Sequence, residues 1–437
     1  MQSSALPLGH AANSEHLSSL ADRISHTPAN LLFLSNGHGE DLIALQVLQS
    51  LHQLHPSLNL EVLPLVGEGK AYATAISEGW LRRVGPSLRL PSGGFSNQSF
   101  RGLVQDIFAG LVKGTWEQWC CIKTKARNGR VIIAVGDFLP LLFGWCSGAS
   151  FGFIGTPKSD YTWRSGPAYA LSDYYHSWKG TEWDPWEYAL MRSSRCKMVA
   201  VRDHLTARGL RKHGVAAYFP GNPMMDNLQG VELPQALKGF RRLLLLCGSR
   251  VPEAKVNFKR LIHAISFLNS KTPIKILVPL GSSPSVTELE ELLDELGYRQ
   301  FSCPGNQIGV NTFWKNGFCN VFLGPGKFSL WVSWVEIGLA TAGTATEQLV
   351  GLGIPALSLP GEGPQFKRSF ALRQSRLLGG AVMPCRSPGL LAEHLETLLN
   401  DASLRERIGR VGSRRMGSSG GSSALAALIS KFLLEHA

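Results

Sequence analysis

The chain has 437 residues, of which 44% are hydrophobic and 17% are charged. A chain of this length and composition can bury a large core, divides into about two domains, and is not a disordered tail. Lysine and arginine together outnumber aspartate and glutamate by 44 to 32, which gives a formal charge of +12. This excess favours an anionic partner, and nucleic acid, a membrane face and a nucleotide-linked small molecule all remain open.

Cysteine usage argues against a metal centre. The eight cysteines include no CxxC pair and no Cys/His cluster with metal-ligand spacing, so we predict no metal site and no cofactor. Cys146 and Cys247 lie inside apolar runs, which indicates buried thiols in a reducing compartment. Residues 1–29 lack the charged and apolar regions of a signal peptide, so we predict a loose N-terminal extension and a cytoplasmic protein.

Apolar runs of strand length alternate with amphipathic segments of helix length, which predicts parallel βαβ units and an α/β fold. In the first half we predict strands at 31–34, 58–66, 131–135, 150–154, 198–201 and 216–219, helices at 42–54, 100–123 and 139–146, and an aromatic loop at 161–186. The apolar stretch 131–155 is interrupted by Asp137, Pro140 and five glycines. It is therefore predicted to form buried strands and a short helix rather than a membrane span.

The short polar segment 227–239 contains Pro234 and is predicted to be a hinge between two domains. We predict an N-terminal domain over 30–230, a C-terminal domain over 231–420 and a closing helix within 421–437. In the second half we predict strands at 242–247, 274–278, 321–323, 336–340 and 356–359, and helices at 252–268, 285–296, 328–335 and 344–352. The segment 403–423, rich in Arg, Gly and Ser, is predicted to be a solvated, flexible connection, with a phosphate or lipid-headgroup site as the alternative.

Two strand ends in the second half carry residues suited to a nucleotide diphosphate. After the strand at 336–340, Gly343 lets a pyrophosphate approach free amides at a helix start. There Thr344 and Thr346 offer hydroxyls beside Ala345, while Glu347 and Gln348 could take ribose hydroxyls. After the strand at 242–247, Gly248 and Ser249 precede Arg250, whose guanidinium can bind a diphosphate in a bidentate manner and stabilise a departing nucleotide. The alternatives are an ordinary N-capped helix and a surface arginine.

In the first half, Gly37, His38, Gly39 and Glu40 form a glycine-rich turn between a strand and a helix, but not a dinucleotide fingerprint. Asp137 follows an apolar strand, where a carboxylate is costly unless it has a task or a partner. We consider Asp137 a candidate general base for an acceptor hydroxyl and His38 the competing candidate. The alternative role for Asp137 is a helix N-cap.

These segments resemble, in order along nearly the whole chain, the lipid-A-disaccharide synthases and more closely the lipid-A-disaccharide-synthase-related proteins, which belong with the two-domain GT-B glycosyltransferases. The matching segments are 31–41, 132–137, 151–164, 199–202, 221–226, 245–250, 340–355 and 359–366. The resemblance implies two Rossmann-like domains facing each other across a cleft. It also implies inverting, metal-independent transfer of an N-acylated glucosamine unit from a UDP-sugar to a lipid-borne sugar hydroxyl.

Position by position, the resemblance makes Asp137 the essential aspartate, Arg250 the arginine of a Gly-Ser-Arg element, and Gly343, Thr344 and Thr346 the nucleotide-binding turn. Asn222, in the matched segment 221–226, is assigned to the nucleotide sugar, and Gly37, Gly39 and Glu40 to the acceptor. The chain departs from the family at Gln348, which stands where the ribose-binding glutamate is expected, with Glu347 displaced by one position.

The implied partners are a UDP-sugar, a lipid-linked sugar acceptor and the inner face of the cytoplasmic membrane, with a homodimer also allowed. The helix at 100–123 has Trp116 and Trp119 beside lysines and could lie on a bilayer interface, or simply face the core. A sugar-nucleotide epimerase of the same architecture is the first alternative. A non-catalytic nucleotide- or nucleic-acid-binding protein is the second, but no nucleic-acid motif is found, so nucleic acid is not an expected partner.

Overall fold

The computed structural model describes residues 30–88, 111–165, 171–228, 230–268, 273–303, 308–361 and 367–435. The predicted N-terminal extension, the first part of the helix predicted at 100–123 and most of the matched segment 359–366 lie outside these residues. The side chain of His38 is also outside what the structure describes, so its part in catalysis stays a prediction.

The first sheet has seven strands, all parallel. They are β1 (Asn30–Ser35), β2 (Asn59–Pro64), β3 (Leu81–Arg83), β4 (Val131–Gly136), β5 (Phe151–Gly155), β6 (Cys196–Val201) and β7 (Ala217–Tyr218). Their order across the sheet is β3-β2-β1-β4-β5-β6-β7. The order in which the strands are added across the sheet therefore reverses between β1 and β4, which are hydrogen-bonded neighbours.

Helices cover this sheet, as expected for parallel strands that are apolar on both faces. They are α1 (His38–Leu54), α2 (Ala73–Ser77), α3 (Leu111–Arg127), α4 (Phe138–Cys146), α5 (Tyr161–Arg164), α6 (Leu171–Lys179), α7 (Pro185–Met191) and α8 (His204–Lys212). The prediction of an aromatic loop at 161–186 is wrong, because α5, α6 and the start of α7 lie there. Their aromatic side chains are mostly exposed, so no apolar helical stripe marked them in the sequence.

The second sheet has eight strands. They are β8 (Arg241–Leu246), β9 (Ile274–Leu280), β10 (Arg299–Ser302), β11 (Thr312–Asn316), β12 (Cys319–Pro325), β13 (Ile337–Ala340), β14 (Ala356–Ser358) and β15 (Val382–Pro384). Their order is β10-β11-β12-β9-β8-β13-β14-β15. The first two pairings are antiparallel, whereas the remaining strands run parallel and reverse their order between β8 and β13. The edge strand β10 was not predicted because all its residues are exposed.

The helices of this second part are α9 (Glu253–Ser266), α10 (Val286–Glu295), α11 (Phe328–Trp331), α12 (Thr344–Gly351), α13 (Arg368–Leu377), α14 (Pro388–Asn400), α15 (Ala402–Met416) and α16 (Gly421–Ile429). The prediction of a flexible basic connection at 403–423 is wrong, because α15 occupies most of it. A β-carbon placed on Gly409 would lie 1.9 Å from the carbonyl oxygen of Gly353, and one on Gly412 would lie 2.2 Å from a methyl group of Val350. The two glycines therefore let α15 lie directly against α12 and the turn after it.

The two sheets form the cores of an N-terminal and a C-terminal domain, as predicted. One cluster of buried apolar side chains spans both, from Phe33 in the first sheet to Leu244 in the second, and includes Met224, Met416 and Leu425. The last helix returns to the first domain, where Ser430 lies 2.8 Å from His55 at the end of α1. The predicted boundary between 230 and 231 stays a prediction. No described helix has both the length and the apolar character that crossing a membrane requires.

Candidate functional site

Both sheets have one point where the strand order reverses, and this is where open α/β sheets leave a crevice for ligands at the carboxyl ends of their strands. In the C-terminal domain this point lies between β8 and β13. The backbone N–H and the hydroxyl of Thr341 both donate to the carbonyl oxygen of Leu246, at 2.7 and 3.1 Å. Gly248, at φ 92°, passes so close to Thr341 that a β-carbon on Gly248 would lie 3.3 Å from the carbonyl oxygen of Thr341. The two predicted diphosphate segments are thus neighbours.

The turn before α12 leaves the start of that helix open. Gly343 is the N-cap residue and has no side-chain cap, and among the described residues no heavy atom lies within 4 Å of the place where its β-carbon would be. Gln374 of α13 braces the turn by donating to the carbonyl oxygens of Ala342 and Gly343, at 3.3 and 3.2 Å. An open helix start with a fixed backbone is suited to an anion.

The hydroxyl of Thr346, which was predicted to contact the nucleotide diphosphate, bonds to the protein backbone in this structure. Its side chain is fully buried, and its hydroxyl donates to the carbonyl oxygen of Ala342 at 2.6 Å. The hydroxyl therefore holds the turn instead of facing a phosphate. Arg250 is partly buried and Ser249 is exposed at the end of the neighbouring segment. Burial lowers the pKa of the Arg250 guanidinium, against the opposing charge of Glu253.

In the N-terminal domain, the reversal between β1 and β4 places a group of polar side chains together. Asn36 donates its amide to Oδ1 of Asp137 at 2.8 Å. The same oxygen accepts the backbone N–H of Leu139 at 3.2 Å, so Asp137 is also the N-cap of α4. The Thr156 hydroxyl, just after β5, lies 3.4 Å from Oε1 of Glu40. Asp137 is therefore a helix N-cap, and its part as a general base stays a prediction.

The carboxyl groups of Glu40 and Asp137 carry perturbed proton affinities. Burial raises the pKa of Glu40 to about 7, and the negative charges of Asp137 and Asp41 add to that rise. Burial also raises the pKa of Asp137, although the amide of Leu139, the charge of Lys158 and the amide of Asn36 oppose the shift. Two neighbouring carboxyl groups in a desolvated corner can hold one proton between them near neutral pH.

A third carboxyl group, that of Asp41, lies next to Glu40 in the first turn of α1. Asp41 is buried and accepts the hydroxyl of Ser35 at 2.6 Å, while Ser35 in turn accepts the hydroxyl of Tyr72 at 2.9 Å. Burial raises the pKa of Asp41 to about 6. This chain of hydrogen bonds fixes the first turn of α1 and with it the direction of Glu40.

The two reversal points face each other. A β-carbon placed on Gly39 would lie 3.2 Å from the hydroxyl oxygen of Thr344. The predicted acceptor turn therefore touches the predicted nucleotide turn, and any larger residue at position 39 would intrude between them. The cleft between the domains thus has acidic groups on one wall and an open helix start on the other.

Three predicted ligands of the nucleotide sugar instead bond the two domains to each other. Oε2 of Glu347 accepts Nη2 of Arg202 at 2.8 Å. Gln348 donates to the carbonyl oxygen of Met224 at 2.8 Å, and the buried amide of Asn222 donates to the carbonyl oxygen of Met416 at 3.1 Å. The partners come from the opposite domain, so spacing along the sequence gave no sign of them.

Helix α13 adds a second set of bonds between the domains that sequence reasoning missed. Arg376 pairs with Asp173 at 2.7 Å and also donates to the carbonyl oxygens of Trp163 and Ser165, at 2.9 and 3.1 Å. Arg373 pairs with the buried Glu182. These contacts close one end of the cleft. Within the described ranges no group of three or more His, Cys, Asp or Glu side chains is arranged to hold a metal ion.

Comparison with known proteins shows the fold. No family model matches the sequence, and no curated protein does. Among solved structures, a putative UDP-N-acetylglucosamine 2-epimerase from Listeria monocytogenes superposes with a TM-score of 0.57 at 12% identity, over 94% of this chain and 98% of that one. The UDP-GlcNAc 2-epimerase from Neisseria meningitidis bound to UDP-GlcNAc has a TM-score of 0.51 at 14% identity, over 92% of this chain and 100% of that one.

MurG from Acinetobacter baumannii is similar to the same degree, with a TM-score of 0.52 at 15% identity over 92% of this chain and 100% of that one. The chain therefore has the GT-B fold, with two Rossmann-like domains, as the sequence predicted. The narrower resemblance to lipid-A-disaccharide synthases finds no support among these similar structures.

The raised pKa of Glu40 predicts a pH-dependent effect of Glu40→Gln. A carboxyl group whose pKa rises on folding costs no stability below its unfolded pKa and lowers stability as the pH rises through its folded pKa. The window therefore runs from the ordinary value of 4.5 to about 7. We expect Glu40→Gln to match wild type near pH 4 and to exceed its free energy of unfolding by about 3 kcal/mol near pH 8, measured by chemical denaturation.

The matched control is Glu291→Gln, since Glu291 is exposed on α10. It should show no such divergence. A difference between Glu40→Gln and wild type that is the same at both pH values would contradict a desolvated carboxyl group at position 40.

Proposed function

We propose that the chain is a UDP-sugar-dependent enzyme and that it transfers a glucosamine-type sugar to a hydroxyl acceptor. The observation that carries the proposal is the partly buried carboxyl groups of Glu40 and Asp137 at one reversal point, which face the helix start at the other. One wall can take a proton and the other can take the charge of a diphosphate, which are the two needs of sugar transfer from a nucleotide. The ligand named for the similar Neisseria structure, UDP-GlcNAc, supports the choice of donor.

In the proposed reaction the acceptor hydroxyl oxygen forms a bond to the anomeric carbon while its proton passes to the Asp137 carboxylate. The bond from that carbon to the diphosphate oxygen breaks, and UDP leaves with the electron pair. Attack from the side opposite the leaving group inverts the anomeric carbon. The amides at the start of α12 and the Arg250 guanidinium stabilise the departing charge.

The acceptor is proposed to be lipid-borne, as in a lipid-A-like pathway, with the chain lying on the inner face of the cytoplasmic membrane. Large apolar and aromatic side chains are exposed on the helices of the N-terminal domain; they are Val112, Trp116, Phe138, Trp145, Leu171, Tyr174, Tyr175, Trp178 and Trp186. Phe138 directly follows Asp137, and the cations of Lys123 and Arg195 lie over the rings of Trp119 and Trp145, at 5.0 and 5.5 Å. Aromatic rings beside cations are suited to an anionic bilayer interface.

A sugar-nucleotide epimerase is the second candidate. The sequence offered few acid–base groups for moving a proton at carbon, but a β-carbon on Gly136, the residue before Asp137, would lie only 3.4 Å from Cγ of Glu40. One carboxylate could remove a proton from the sugar while the neighbouring carboxylic acid returns one to the other face. The same pair thus serves either reaction, and only the product distinguishes them.

Incubation with UDP-GlcNAc, with and without a lipid-linked glucosamine acceptor, separates the two reactions. We expect UDP release and a disaccharide product only when the acceptor is present. Both products are measured by chromatography and mass spectrometry. Arg250→Ala should weaken UDP binding about 10- to 100-fold by calorimetry. Asp137→Asn should keep UDP binding and lose about 100- to 10,000-fold in turnover.

Arg299→Ala, a change in an exposed arginine of β10, is the control and should leave both quantities unaltered. Formation of the manno isomer from UDP-GlcNAc alone would establish the epimerase instead. The absence of any uridine-nucleotide binding at saturating concentration would overturn both candidates.

Membrane association is tested by co-sedimentation with vesicles of phosphatidylglycerol and of phosphatidylcholine. We expect binding to the anionic vesicles, weakened at least about 10-fold in the double variant Trp116→Ala/Trp178→Ala. Phe301→Ala removes a similarly exposed ring from β10, far along the chain from these helices, and should bind as wild type does. Equal loss in both variants, or no binding by wild type, would exclude the lipid-facing surface.

A further inference from the structure

Asn36, which lies in the turn between β1 and α1, has a single well-defined bond to the proposed base. Its Nδ2 donates to Oδ1 of Asp137 at 2.8 Å, and the backbone N–H of Leu139 reaches the same oxygen at 3.2 Å. Among the described residues, both neighbours that hydrogen-bond this carboxylate therefore converge on one oxygen.

The backbone around Asn36 is built for this contact. Ser35 and Val135 are paired at the ends of the adjacent strands β1 and β4. Gly136, at φ 134°, lies so close that a β-carbon there would be 3.2 Å from Cβ of Asn36. Gly37, at φ 118°, turns the chain into α1 directly after Asn36. The Asn36 side chain thus sits on a turn that two glycines allow to press against the carboxyl end of β4.

Glu40 has weaker support for a negative charge than its neighbour. Its carboxyl group accepts its own backbone N–H and lies 3.4 Å from the Thr156 hydroxyl. The charge of Lys158, from the segment after β5, lowers the pKa of Asp137, and the charge of Asp137 in turn raises the pKa of Glu40. Lys158 also pairs with Glu187 at 2.5 Å and lies 3.7 Å from Asp184, so its charge is shared between these two carboxylates and Asp137. Two close donors therefore distinguish Asp137 from Glu40, the backbone N–H of Leu139 and the side-chain amide of Asn36, and only the second can be removed by a side-chain substitution.

We propose that Asn36 is a positioning residue that keeps the negative charge of the pair on Asp137 and the proton on Glu40. An amide donor favours the ionised form of the group it bonds, and here it bonds only one of two competing carboxyl groups. The inference rests on the proposed function in one respect, namely that Asp137 is the base. It holds equally for sugar transfer and for epimerisation, because each needs one ionised and one protonated group.

The first test is the pH profile of turnover with UDP-GlcNAc for wild type, Asn36→Ala and Asn36→Asp. Loss of the donor should move the acid limb of the Asn36→Ala profile upward by about one pH unit, with the plateau at high pH retained. Asn36→Asp adds a third carboxylate and should move the limb further. Asn36→Ser keeps a shorter donor and should restore part of the shift. Asn316→Ala, which removes an amide bonded to a backbone carbonyl on an exposed hairpin, should leave the profile unchanged.

A purely structural part for Asn36 would lower turnover equally at every pH and leave the limb in place. That result would overturn the proposal. So would an Asn36→Asp profile that coincides with that of Asn36→Ala, because an added carboxylate beside Asp137 must disfavour its ionisation.

The second test needs no substrate, so it separates failure of this inference from failure of the proposed function. The difference in unfolding free energy between Asp137 and Asp137→Asn is measured against pH, once in wild type and once in the Asn36→Ala background. We expect the titration of Asp137 to lie about one pH unit higher in the second series. Identical titrations refute the proposal even if UDP-GlcNAc is turned over, and a shifted titration upholds it even if UDP-GlcNAc is not.

Discussion

The desolvation of two carboxyl groups in one corner of the N-terminal sheet is the constraint around which the cleft is organised. Partial loss of hydration raises the pKa of both groups, that of Glu40 to about 7, and the charge of Asp137 adds to the rise at Glu40. The local structure supports this arrangement with a helix N-cap and a side-chain amide on Asp137, and with a bracing chain through Asp41 behind Glu40. A corner built in this way can accept a proton without first rearranging.

The second constraint is the close approach of the two domains. Arg202 and Glu347 form an ion pair that is almost withdrawn from solvent, and such a pair is costly to break by removing either member. Arg376 adds a pair with Asp173 at one end of the cleft, and the start of α16 is capped by Asp226, whose carboxylate accepts the amides of Gly420 and Ser422 at 2.5 and 2.8 Å. These contacts hold the domains close together, and a closed cleft excludes water from a transferable sugar.

The fold and part of the candidate site could be predicted from the sequence. Apolar runs mark the buried strands, and the residues that directly follow those runs mark the site. Asp137, Gly343 and Arg250 were identifiable as polar or glycine residues directly after buried runs. Partners across the cleft were not identifiable, since Glu347, Gln348 and Asn222 find theirs in the other domain. Asn36 was passed over because a turn asparagine is common, and only the pairing of β1 with β4 places it beside Asp137. Helix α15 was missed because its arginines and glycines are typical of a linker, whereas the glycines are contact points between backbones.

The close approach of the turn at Gly39 to the turn at Thr344 is tested most directly by a disulfide across the cleft. The distance of 3.2 Å between a β-carbon at position 39 and the γ oxygen of Thr344 is close to the separation of a cysteine β-carbon from its partner's sulfur in a disulfide. Gly39→Cys combined with Thr344→Cys should therefore cross-link under mild oxidation, as seen by peptide mapping with mass spectrometry. Gly389→Cys combined with Thr344→Cys should not. Failure of the first pair to cross-link in the folded protein, or equal cross-linking of both pairs, would contradict a single site shared by the two domains.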